Sequence, residues 1–196
     1  MKAASKHIVI VDNHDSFVYN LAAEIAPPGT RLSVFRNSVD TGVILDSQPD
    51  LICLSPGPGH PRTAGNLMEI IEQALGKIPL LGICLGFQAL LEYHGSDVKP
   101  VGAVHGQAHE LTLTEDGQAD PLFTAVGNAP RVARYHSLGC TEVPGDLVSL
   151  AQIGQVCMAA RTRDGSALGL QFHPESILTA AGPRILANAV ASLRIA

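Results

Sequence analysis

In the first half of the chain, short apolar runs alternate with stretches in which apolar residues return every three or four positions. His7–Val11, Leu32–Phe35, Asp50–Leu54 and Leu80–Ile83 read as strands. Behind Asp15, which can cap a helix, Phe17, Leu21 and Ile25 recur at four-residue spacing until Pro27-Pro28-Gly29 ends the pattern. Leu67–Leu75 reads as a helix stopped by Gly76, and Leu85–Tyr93 as a helix that follows the fourth strand directly. Strand alternating with helix predicts an α/β fold: an open, mostly parallel central sheet with helices on both faces. The second half is richer in short strands, at Val101–Val104, Glu110–Leu113, Arg131–Tyr135, Leu147–Leu150, Val156–Thr162 and Ala167–Phe172, which predicts a smaller antiparallel region. A closing helix over Pro183–Leu193 carries proline in its first turn. No internal repeat or low-complexity segment breaks the chain, so residues 1–196 are expected to form a single domain.

Composition narrows the function classes. With 46% hydrophobic and 16% charged residues in 196, the chain can bury a sizeable core. A net charge of -5 with no Lys/Arg-rich stripe argues against nucleic acid as a partner. The longest uncharged apolar stretch, Ile78–Leu91, falls short of the roughly 18 residues of a membrane span. Met1–Lys6 lacks the apolar core of a signal peptide, so a cytoplasmic protein is expected. Cys53, Cys84, Cys140 and Cys157 show no C-x-x-C pairing, which indicates neither a disulfide framework nor a metal site; Cys53 and Cys157 lie in strand-like runs and read as core.

Candidate chemistry gathers at strand ends. In Leu80-Leu81-Gly82-Ile83-Cys84-Leu85-Gly86, two glycines flank a cysteine where a strand turns sharply into a helix. This is the pattern of a nucleophile elbow, with a thiol that feels the positive end of the following helix. After the last strand, His173 and Glu175 stand two apart around Pro174, so both side chains can point to one side as a base and its orienting carboxylate. After the third strand, Ser55-Pro56-Gly57-Pro58-Gly59 leaves Gly57 as an N–H donor between two prolines; with the N–H of Leu85 it would form an oxyanion hole. Each feature taken singly also has a structural reading, as a buried cysteine, a surface His–Glu pair and a Gly/Pro turn. Together they meet at the edge of the sheet where ligands bind in such folds. His136 reads as a positioning residue rather than an acid or base.

Ser55–Gly59, Gly82–Gln88, Arg134–Leu138 and Gln171–Thr179 resemble, in order and spacing over nearly the whole chain, the class I (triad) glutamine amidotransferases. Within that family, Val11–Leu21 and Ser176–Thr179 are similar to the amidotransferase subunits of anthranilate synthase and of aminodeoxychorismate synthase. The resemblance implies a flavodoxin-like sheet and a triad of Cys84, His173 and Glu175 that hydrolyses glutamine through a cysteinyl thioester. It implies that Gln88 and the backbone of Ser137 and Leu138, with Gly57, Pro58 and Gly59, hold the amino and carboxyl groups of glutamine. It also implies a partner on a separate polypeptide, a chorismate-binding anthranilate synthase component I that receives the ammonia, in a heterodimer or heterotetramer. No cofactor is expected in this chain, and Mg2+ is expected on the synthase partner. Gln107-Ala108 departs from the Lys-Thr or Lys-Ala expected in relatives. The anthranilate and aminodeoxychorismate branches both fit, and a free-standing hydrolase of gamma-glutamyl compounds would use the same triad.

Overall fold

The structure, a computed structural model, describes residues 6–193; the expectation for the leader at Met1–Lys6 otherwise lies outside them. Strand β1 (His7–Asp12) is buried throughout and is followed by α1 (Val18–Ile25), which buries Val18, Leu21 and Ile25. Then come β2 (Arg31–Arg36), α2 (Thr41–Asp46), β3 (Leu51–Leu54), α3 (Leu67–Ala74), β4 (Leu80–Ile83) and α4 (Leu85–Tyr93). The second half contains β5 (Lys99–Pro100), β6 (Gln107–Glu110), β7 (Thr112–Leu113), α5 (Glu115–Ala119), β8 (Arg131–Arg134), β9 (Leu138–Gly139), β10 (Leu147–Ile153), β11 (Val156–Thr162), β12 (Ala167–Leu170) and α6 (Gly182–Ser192).

Eight strands form the central sheet in the order β2-β1-β3-β4-β12-β11-β10-β7. The first five are parallel, and β11, β10 and β7 continue it antiparallel. The antiparallel region is therefore an extension of the main sheet, with two small ladders beside it, β5–β9 and β6–β8. Alternate residues of the parallel strands face opposite sides. Ile8, Ile10, Leu81 and Ile83 pack with Leu21 of α1 and Ile185 and Leu186 of α6, whereas Val9, Val11, Ile52 and Leu54 pack with Ile70 and Ile71 of α3 and Ala89 of α4. Burial on both faces is what a parallel sheet requires.

The order has one consequence for chemistry. Strand β4 lies between β3 and β12, all three running the same way, so the segments leaving their carboxyl ends emerge side by side. Those segments begin with Ser55, Cys84 and Gln171.

Several elements differ from the sequence expectation. Asp15 does not cap α1: its carboxylate accepts the N–H of Phe17 at 3.0 Å in a local turn, and the helix starts at Val18 without a side-chain cap. Residues 101–104 form no ladder, although Val101 and Val104 donate to the carbonyls of Ser137 and His136 at 2.9 and 3.1 Å. The run Glu110–Leu113 is divided, because buried Leu111 separates β6 from β7 and the two join different sheets. Strand β12 ends at Leu170, since His173 turns away to donate to Ala133 at 3.0 Å. Helices α2 and α5 carry too few residues, six and five, to show a periodicity.

Candidate active site

The elbow is built by glycines that admit nothing larger. A Cβ on Gly86 would lie 2.2 Å from the carbonyl oxygen of Leu54, and one on Gly82 would lie 2.6 Å from that of Gly86. Strands β3 and β4 and helix α4 can close together only because both side chains are missing. Cys84 between them sits at φ 50 and ψ -100, a conformation that L-residues avoid. Its N–H donates to Leu170 at 2.7 Å, which fixes the corner to β12, and its carbonyl accepts the N–H of Gln88 at 2.9 Å as α4 begins.

His173 and Glu175, predicted to share one side, do so: His173 Nδ1 lies 2.6 Å from Glu175 Oε1. Both are buried. The contact places the Nδ1 proton toward the carboxylate and leaves Nε2 as the basic nitrogen. Nε2 has no hydrogen-bond partner among the described residues, and Cys84 is close enough to act on the charge of the ring. Burial pushes the His173 pKa down, but Cys84 and Glu175 together outweigh it and carry it up to about 10. A ring so placed favours the imidazolium form.

Aromatic edges enclose the base. Tyr135 and Phe17 meet the His173 ring edge-on at centroid distances of 5.0 and 6.1 Å. Thr179, buried, donates to the His173 carbonyl at 2.7 Å and accepts the N–H of Ala133 at 2.9 Å, which ties the segment after Glu175 to β8. Asp15 also faces the pair; burial raises its pKa, the His173 charge lowers it and Glu175 raises it again.

The loop with Gly57 lies beside the elbow. A Cβ on Gly57 would fall 2.4 Å from the Asn13 carbonyl oxygen and 3.0 Å from Leu85 Cδ2, so the glycine is required for the loop to lie against α4. The loop is held by Ser55 and Asn13, both buried. Asn13 N–H donates to Ser55 Oγ at 2.8 Å, Asn13 Nδ2 to the Ser55 carbonyl at 2.8 Å, and Asn37 Nδ2 to Asn13 Oδ1 at 3.2 Å. The Gly57 N–H donates to no backbone carbonyl among the described residues, and Leu85, first residue of α4, lies where helix N–H groups have no internal partner. Pro58 and Gly59 are exposed beyond Gly57.

On the other side, Gln88 reaches Leu138. Its Nε2 donates to the Leu138 carbonyl at 2.9 Å and to Gln171 Oε1 at 3.2 Å, and Gln171 Nε2 donates to Cys84 Sγ at 3.6 Å. His136 Nδ1 donates to the same carbonyl at 2.8 Å. That carbonyl and the Gln88 NH2 are thus already paired, and Ser137 beside them is exposed. His136 is neutral: burial dominates over its bond to Leu138 and lowers its pKa to about 4. Asn13 and Gln171 stood in the motifs without a role, and their functional contacts cross 42 and 87 positions of sequence.

Cys53, Cys140 and Cys157 are buried, and for Cys53 and Cys157 burial drives the thiol pKa far up, to about 12 for Cys157. Among the described residues no three His, Cys, Asp or Glu side chains cluster as a metal site, and no helix is long and apolar enough to cross a membrane.

Residues 9–193 match the family described as Glutamine amidotransferase class-I. A protein of Corynebacterium glutamicum named "Anthranilate synthase component 2" is 52% identical over 95% of this chain and 98% of its own length. One of the same name from Helicobacter pylori is 38% identical over 95% of this chain and 97% of its own. A Thermotoga maritima glutamine amidotransferase has the same fold, with a TM-score of 0.67 at 18% identity over 96% of this chain and 84% of that one.

Proposed function

Since the chain belongs to the class-I glutamine amidotransferases, we propose that its Cys84, His173 and Glu175 hydrolyse glutamine as the amidotransferase component of anthranilate synthase. The observation that carries the catalytic assignment is the strained Cys84 facing a histidine whose far nitrogen is held 2.6 Å from Glu175.

The Cys84 sulfur attacks the side-chain carboxamide carbon of glutamine, forming a C–S bond while the carbonyl electrons move onto oxygen. The N–H groups of Gly57 and Leu85 hold that oxyanion. His173 gives its Nε2 proton to the amide nitrogen, the C–N bond breaks, and ammonia leaves a glutamyl thioester on Cys84. Water then gives a proton to His173 and adds to the thioester; glutamate departs and the thiolate returns. Glu175 keeps the ring in the required tautomer through both halves. Gln88 and the backbone at Ser137 and Leu138, with the Gly57–Gly59 loop, receive the amino acid end of glutamine.

Ammonia in neutral water is largely protonated and no longer nucleophilic. A chorismate-binding synthase component that takes ammonia directly from Cys84 is therefore the fitting partner, in a cytoplasmic heteromer whose Mg2+ lies on the synthase side. The test is Cys84→Ser in the two-component enzyme. Glutamine-dependent synthesis should disappear while synthesis from added ammonium salt continues; glutamine-dependent turnover that survives would overturn the assignment. Anthranilate as product places the chain in tryptophan formation, and aminodeoxychorismate would move it to the folate branch.

A further inference from the structure

We propose that a second site, separate from the catalytic one, binds a small carboxylate- or phosphate-bearing anion in the cavity over Arg134. The cavity is an open groove of about 390 Å3 between β5, the end of β8 and the β10–β11 turn. Lys99 and Arg134 line it, Thr141 and Gln155 add a hydroxyl and an amide, Val101 and Val156 give apolar walls, and no acidic side chain contributes.

Arg134 is the reason to expect a ligand. It is 6% exposed, yet no carboxylate lies within 4.0 Å of it among the described residues. Three other arginines meet a carboxylate. Arg161, with a side chain 15% exposed, meets Asp120 at 2.6 Å, and Arg36 and Arg62, far more exposed, meet Asp12 and Glu92. Arg134 spends Nε on His136 Nε2 at 3.0 Å. His136 accepts that bond as a neutral ring, because its other nitrogen donates to Leu138, so it returns no negative charge. The two terminal nitrogens of Arg134 make no hydrogen bond among the described residues and are not sealed from solvent, so an anion in the cavity could take paired, charge-assisted bonds from them. Lys99, half-buried at the same cavity and likewise without a carboxylate partner among the described residues, supplies a second cation.

The size selects the ligand. A space near 390 Å3 lies at the small end of the roughly 300–1,000 Å3 of small-molecule sites, which suits a compact mono- or dianion with a short apolar body. Catalytic Cys84, His173 and Glu175 do not line it.

The probes are malonate and inorganic phosphate, titrated separately into the full chain by calorimetry. One-to-one saturable binding by at least one probe is expected, weakened about tenfold in Lys99→Ala, the loss of one charged hydrogen bond. Arg134→Met should abolish it. Should that variant fail to fold, ring NMR of the native chain replaces it: bound anion draws Arg134 and must move the His136 signals, and the movement must shrink in Lys99→Ala. Absence of saturable binding by both probes at millimolar concentration, or binding unchanged in Lys99→Ala, would overturn the proposal.

Discussion

Replacing Cys84 by glycine should yield a more stable protein than replacing it by alanine, the reverse of the ordinary order. Both changes remove the thiol, so their difference isolates the backbone. At φ 50 and ψ -100 the corner lies outside even the usual left-handed basin, and holding a Cβ there costs in the upper part of about 1–3 kcal/mol. Glycine relieves that strain, because the conformation is one it adopts freely in tight turns. Two terms oppose the gain: greater freedom of glycine in the unfolded chain, about 0.5–1 kcal/mol, and loss of one buried carbon, about 0.8 kcal/mol. The net is about 1 kcal/mol in favour of glycine, or about 2–4 °C in Tm for a chain of this size. Urea titrations of the two variants should give parallel slopes and a higher midpoint for Cys84→Gly. If Cys84→Ala is equal or better, the elbow stores no strain and the backbone is not what aims the sulfur.

The His173 charge gives a second expectation. Its pKa, raised to about 10, exceeds the ordinary histidine value near 6.5, so the stability it contributes is complete below about pH 6.5 and is lost as pH rises through the raised value. In Glu175→Gln, ring NMR should place the His173 midpoint well below its native position, and glutaminase kcat should fall with it; an unmoved midpoint would deny Glu175 its orienting role. Gly86→Ala puts a methyl 2.2 Å from a backbone oxygen that is fixed in β3, so overpacking should destabilise by about 1–3 kcal/mol or more and cut glutaminase activity by displacing α4. An unchanged denaturation midpoint would mean that the elbow is not closely packed.

What could be read in the sequence was whatever is local. Gly82 and Gly86 announce the elbow because a tight corner forbids side chains at both places. His173 and Glu175 do share one side, but through a turn and not through the extended stretch expected around Pro174: the Ser176 N–H donates to the His173 carbonyl at 3.3 Å. The parallel half of the sheet follows from its alternation with helices. Local reading failed where a short polar side chain had two uses, as at Asp15, which closes a turn instead of capping α1. It failed again at 101–104, apolar enough for a strand but bonded to its neighbour only at intervals. The supports of the site were invisible for another reason. Asn13 fixes the Gly57 loop through Ser55, and Gln171 links Gln88 to Cys84, and these bonds join residues far apart in sequence through side chains that have no periodic signature.

The central claim is that nitrogen leaves glutamine at Cys84 and is used by a chorismate-binding partner. Its most direct test is glutamine labelled at the side-chain amide, supplied to the purified two-component enzyme with chorismate and an excess of unlabelled ammonium at a pH where free ammonia is scarce. Anthranilate carrying the label undiluted, with labelled transfer lost in Cys84→Ser, is the predicted result. Label diluted to the level of bulk ammonium would contradict direct transfer, and labelled anthranilate from Cys84→Ser would contradict the assignment of the nucleophile.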